Sequence, residues 1–154
     1  MKFFIFFYLI TKLFEVEISN LIPQEEGGFL LVLKKIDSDE ILPIAIGDNE
    51  GISILRELHK TPIPRPMTYE LLNKIIEELG GKIEKITIDK IQNGVFYANI
   101  HIKQGNKRLK IDARPSDAIN IAIRKGVKIF VEEKVFNEMK IEIKKEKKKE
   151  EFKI

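Results

Sequence analysis

Residues 111–118 read Ile-Asp-Ala-Arg-Pro-Ser-Asp-Ala and bring two carboxylates, a guanidinium and a hydroxyl together in one short stretch. Pro115 suits the first turn of a helix, where its missing N–H is not needed. The stretch therefore reads as a strand-to-helix junction. A helix N-terminus offers unpaired N–H groups and partial positive charge, which suit a phosphate. Arg114 can add a two-pronged grip on the same group, and Ser116 a hydroxyl. Asp112 and Asp117 carry the oxygen ligands that a divalent ion such as Mg2+ or Mn2+ needs for metal-assisted phosphodiester hydrolysis. The same residues also fit ordinary helix-start chemistry. Ser116 can cap, Asp117 can complement the helix dipole, and Arg114 can pair with Asp112. From these residues alone both readings stay open.

A second cluster, Pro64-Arg65-Pro66-Met67-Thr68-Tyr69-Glu70, holds Arg65 between two prolines. Little backbone freedom remains there, which favours either binding a phosphate or a fixed surface ion pair. Glu50 and Glu57 lie seven apart on a candidate helix, so they share a face and can supply a base or a ligand; most such glutamates are simply solvated. His59 and His101 are the only histidines. His59 is a conceivable general base, whereas His101, between Ile100 and Ile102, belongs on the polar face of a strand. Phe96-Tyr97 can stack on a base or fill a core. The chain has no P-loop, no glycine-rich dinucleotide fingerprint and no G-x-S-x-G elbow.

The elements that must position these residues follow from hydrophobic period. Residues 14–18, 29–33 and 41–46 read as three strands of an antiparallel meander, with turns at 23–28 and 37–39. Asp48 or Asn49 can cap a helix reaching to about Lys60, with Ile52, Leu55 and Leu58 on one face. Prolines 62, 64 and 66 make a stiff connector. Thr68 can cap the next helix, whose apolar stripe is Leu71, Leu72, Ile75, Ile76 and Leu79, and Gly80-Gly81 ends it. Asn93-Gly94 signals a tight hairpin between strands 83–91 and 95–102. Residues 108–112 form a further strand, and Ala118, Ile119, Ala122 and Ile123 give the buried stripe of a third helix closed by Gly126. A short strand at 128–131 and a weak helical turn near 135–139 complete the domain.

The chain has 154 residues, 44% hydrophobic and 33% charged, which is enough for one domain with a real core. It has no cysteine, so disulfides, thiolate metal sites and a cysteine nucleophile are excluded; a reducing cytoplasmic setting is consistent with that. The net charge of +3 misleads until it is located. The last 15 residues hold seven lysines and four glutamates, the whole excess. The remainder carries 20 basic and 20 acidic residues. A basic nucleic-acid face would therefore need charge segregation within a neutral body. The apolar run Phe3–Ile10 is too short to span a bilayer, which takes roughly 20 residues. It lacks a small-residue cleavage site and reads as an extra strand or an extension.

Four separated motifs carry a family resemblance: Leu42-Pro43-Ile44-Ala45-Ile46-Gly47, Pro64-Arg65-Pro66-Met67-Thr68, Phe96-Tyr97-Ala98 and Asp112-Ala113-Arg114-Pro115-Ser116-Asp117-Ala118. In order and spacing the chain resembles the bifunctional nuclease domain family over about Lys12 to Val135. The resemblance implies a compact α+β domain with a mixed, largely antiparallel sheet and three main helices. The family is named for plant members described as cutting both DNA and RNA. Two departures stand out: Ala45 replaces a frequent aromatic residue, and Tyr69-Glu70 replaces a His-Asp pair.

The expectation is an N-terminal extension (1–11), a domain (12–138) and a Lys/Glu-rich tail (139–154). We expect a metal-assisted nuclease in which Asp112 and Asp117, with Glu50, hold a divalent ion while Arg65, Arg114 and Ser116 bind the phosphate of DNA or RNA. A homo-oligomer is compatible with the sequence. The competing expectation is a non-enzymatic ligand-binding or protein-interaction domain of the same fold.

Overall fold

The structure, a computed structural model, describes residues 11–139. The apolar run at 3–10 and the charged tail lie outside the described residues. Seven strands form one sheet in the order β3-β2-β1-β7-β4-β5-β6. They are β1 (Leu13–Pro23), β2 (Phe29–Lys35), β3 (Ile41–Ile46), β4 (Gly81–Gln92), β5 (Val95–Gln104), β6 (Lys107–Ala113) and β7 (Lys128–Glu132). Only the β4–β7 pair is parallel; every other ladder is antiparallel. The fold is therefore α+β with a mixed, largely antiparallel sheet, as the family resemblance implied.

Asn93 and Gly94 both take positive φ, 51° and 75°, the geometry a two-residue hairpin demands. Three helices of 11 residues, α1 (Asp48–Leu58), α2 (Thr68–Glu78) and α3 (Pro115–Lys125), cover the sheet, with α3 packed between the other two. A fourth, α4, is described over residues 133–139. Its Val135 and Phe136 are fully buried, and the Phe136 ring meets Phe14 edge-on at 5.8 Å. What periodicity alone suggests as a weak turn is thus a core element.

Several local expectations are corrected. Helix α1 buries Gly51 and Ile54, while Ile52 and Leu58 are exposed. Gly51 sets this rotation, because a Cβ there would run into the Phe29 ring of β2. Neither Asp48 nor Thr68 caps a helix. The caps are Gly47 and Met67 without side-chain bonds, and Asp48 instead accepts from the Gly28 N–H at 2.8 Å. Helix α2 departs most. Leu71, Leu72, Ile75 and Leu79 of its apolar stripe are exposed, and its buried residue is Asn73. Helix α3 buries seven residues spread round its circumference, because it is covered by the sheet and by two helices.

Candidate functional site

The β6–α3 junction is built as its sequence suggested. Strand β6 ends at Ala113, Arg114 is the extended N-cap residue (φ −66°, ψ 146°), and Pro115 opens α3. Arg114 points back over its own helix start. Its Nε donates to Asp117 Oδ2 at 2.7 Å and its Nη2 to Asp117 Oδ1 at 3.0 Å. The same Nη2 donates to Glu50 Oε1 of α1 at 2.9 Å. The partner of Arg114 is therefore not Asp112. Tyr69, in the first turn of α2, donates its hydroxyl to Asp117 Oδ1 at 2.7 Å. Arg114 and Asp117 together thus tie the N-termini of all three main helices, the guanidinium reaching Glu50 of α1 and the carboxylate accepting from Tyr69 of α2.

The electrostatics follow from this ring. Burial opposes ionisation of Asp117, but hydrogen bonds from Arg114 and Tyr69 and the Arg114 charge outweigh it, holding the carboxyl below its ordinary range. Burial and then Asp117 push the Tyr69 phenol well up, so it stays a neutral donor. Hydrogen bonds to Asp117 and Glu50 raise Arg114 further. The Arg114 side chain is nonetheless 65% exposed, and its Nη1 has no partner among the described residues.

These groups line a cleft of about 720 Å3 with Arg56, Asn49, Thr68 and the apolar Ile52, Leu72, Ile100 and Ile111. Arg56 is exposed, and its Nη1 donates to the Met67 sulfur at 3.3 Å. Arg65, in contrast, lies exposed in the connector and does not line this cleft. Ser116 is buried and lines a separate groove on the other side of Arg114, with Pro43 and Phe96. Glu57 pairs with Lys60, and His59 is the exposed C-cap of α1.

Asp112 borders the cleft, yet its side chain belongs elsewhere. Ladder register pairs Ile111 with Ile100 and Asp112 with Asn99. Partners across a ladder share a face, and neighbours along a strand alternate. Ile100 is buried in the core beneath the helices, so Ile111 faces the helical layer and Asp112 faces away from Asp117. Asp117, for its part, has both oxygens occupied. Among the described residues no three His, Asp or Glu side chains are grouped to hold a metal ion. The donor set does not fit the expected divalent ion, because Asp112 and Asp117 face different ways and both Asp117 oxygens are bonded.

A buried network supports the ring. Asn120, fully buried on α3, donates to the Glu50 carbonyl at 3.2 Å and fixes α1 beside α3. Arg124, with a side chain only 7% exposed, donates to Glu70 and to Asn120 Oδ1. It also donates to Ser53 Oγ at 2.9 Å, and its guanidinium lies 5.4 Å from the Tyr69 ring centre. Burial opposes ionisation of Glu70, but the Arg124 bond leaves its pKa lowered. Sequence reading missed Arg56, Asn120 and Arg124, and noted Tyr69 only as part of a cluster that departs from the family. The available signal was Asn120, a polar residue inside an otherwise apolar helix stripe.

Comparison with known proteins fits this architecture. Residues 31–144 match the bifunctional nuclease domain family. An uncharacterised protein of Mycobacterium tuberculosis is 37% identical over 114 residues, 74% of this chain and 68% of the relative. Bifunctional nuclease 1 of Oryza sativa subsp. japonica is 34% identical over 109 residues, 68% of this chain and 33% of the relative. Bifunctional nuclease 1 of Arabidopsis thaliana is 29% identical over 105 residues, 66% and 32%. The match thus spans about a third of the length of these plant relatives. No helix among the described residues is long and apolar enough to cross a membrane. The chain belongs to the bifunctional nuclease domain family.

Proposed function

We propose that the cleft around Arg114 binds a phosphodiester of DNA or RNA and hydrolyses it. The observation that carries this reading is the state of Arg114: clamped by Glu50 and Asp117, yet 65% exposed with Nη1 uncommitted. An arginine oriented in advance is suited to a phosphate, because the uncommitted Nη1 keeps two charged N–H donors and costs little reorganisation. Arg56 supplies a second cation in the same cleft, and Ile52 offers apolar surface to sugar or base.

In this scheme a water attacks phosphorus and Glu50 takes its proton, because Glu50 Oε2 has no hydrogen-bond partner among the described residues while both Asp117 oxygens are engaged. The P–O bond to the departing sugar oxygen breaks, and that oxygen takes a proton from solvent. Asp117 and Tyr69 orient Arg114. The names of the plant relatives point the same way for substrate class.

The test is cleavage of end-labelled single-stranded DNA, duplex DNA and RNA by the purified chain, in EDTA and in Mg2+ or Mn2+, beside an Arg114→Ala variant. Activity lost in the variant supports the reading. Equal activity in both proteins refutes it. Binding without cleavage refutes hydrolysis and leaves a phosphate-binding module. Activity found only with the added metal refutes the metal-free route.

A further inference from the structure

Strand β6 closes one end of the sheet, and its outer backbone groups have no partner strand among the described residues. Six of its seven residues are exposed. The opposite edge, β3, contains Pro43, which cannot donate a ladder bond and so discourages pairing. Strand β6 has no proline, so every outward-facing N–H can donate to a new ladder. Beside it lies the exposed side of α2. Met67, Leu72 and Ile111 line one cleft, and Met67, Leu71, Leu72 and Ile75 form a continuous shelf. These side chains are 38–50% exposed, far more than an amphipathic helix usually leaves to water. An open strand edge beside an apolar helix side is an unsatisfied surface of two kinds at once.

We propose that β6 and α2 together form a symmetric interface with a second copy of this chain, β6 pairing antiparallel with its own counterpart about a twofold axis at Ile111. The self-pairing is written into the residues. Centred on Ile111, antiparallel register sets Lys110 opposite Asp112 of the other copy and Leu109 opposite Ala113. Opposite charges then meet on one face of the new ladder and apolar side chains on the other. Asp112, which makes no ion pair within the chain among the described residues, gains a cation. A twofold axis perpendicular to the sheet keeps both helical layers on the same side. The exposed apolar shelves of the two α2 helices therefore meet across the seam as the strands join. A closed isologous contact buries both surfaces at once, which an unrelated partner matches only by coincidence. The two Arg114 clefts then open beside the seam, on one continuous surface.

This proposal does not rest on nuclease activity, and its test reads mass and covalent linkage only. The chain has no cysteine, so an introduced one is the sole thiol. Light scattering on the full chain is expected to give twice the monomer mass of 17.9 kDa. Ile111→Cys is expected to link to itself under oxidation or with a short thiol cross-linker. Lys107→Cys, which this register leaves without a self-contact, is not. Leu71→Glu and Ile111→Glu change exposed positions, so they are expected to stay folded by circular dichroism and to run as monomers. A monomeric wild type, a dimer that survives both glutamate variants, or cross-linking through Lys107→Cys in place of Ile111→Cys would overturn the proposal.

Discussion

Replacing Tyr69 by Phe removes a single oxygen and tests how the Arg114 ring is held. The hydroxyl lies 2.7 Å from Asp117 Oδ1 and lines the cleft. A hydrogen bond to a charged group contributes about 1.5–3 kcal/mol. Asp117 is 29% exposed and keeps both Arg114 bonds, which lowers the expected loss to about 1–2 kcal/mol. For a chain of this size that is roughly 3–6 °C in Tm. The sign with pH is fixed by Asp117. Its folded pKa lies below the ordinary 3.8, so its contribution is present above that value and is lost as pH falls through the lower, folded value. Removing the Tyr69 donor moves the folded pKa back towards 3.8. The gap between wild type and Tyr69→Phe should therefore be full at pH 7 and narrow on acidification below 3.8. Thermal melts by circular dichroism at several pH values read this directly. An unchanged Tm at pH 7, or a gap that does not narrow in acid, refutes the reasoning that Tyr69 acts through the charged carboxylate.

Arg114→Lys keeps the charge but loses the fork. The side chain is largely solvent-exposed, so stability should change by less than about 1 kcal/mol while cleavage falls by about 100-fold or more; melts and initial rates on one preparation separate the two. Gly47→Ala places a Cβ against Glu50 Oε2, at a φ of −72° that any residue adopts. It should shift Glu50 and lower kcat with little change in Tm. Asp112→Asn should leave cleavage within about threefold of wild type, roughly 0.6 kcal/mol in barrier, because ladder alternation turns its side chain away from Asp117; a loss comparable with Arg114→Lys would contradict that placement.

Much of the fold was legible because period and turn chemistry are local. The meander β1–β3, the Asn93-Gly94 hairpin and the Gly126 C-cap all follow from neighbouring residues. The orientation of α1 was not, because it is set by contact between Gly51 and Phe29, which lie 22 residues apart. The exposure of α2 was illegible for a similar reason. Apolar spacing identifies a helix side but not what covers it, and here the covered residue is Asn73. Within the site, Glu50, Arg114 and Asp117 were recognisable by type, and the chain folds them into one ring. Asp112 also borders the cleft, but its turn away from Asp117 was illegible, because a sequence motif lists neighbours while a strand sends successive side chains to opposite faces. Arg65 stood out as a cation between prolines, but the cleft uses Arg56, whose helical position gave no special signal.

The most direct test of a phosphodiester-cleaving cleft at Arg114 is the cleavage rate of labelled single-stranded DNA and RNA by wild-type and Arg114→Ala proteins, purified identically and assayed in EDTA. Cleavage by wild type that falls about 100-fold or more in the variant, with Tm little changed, is the result we expect. No cleavage by wild type, or equal cleavage by both proteins, would contradict it.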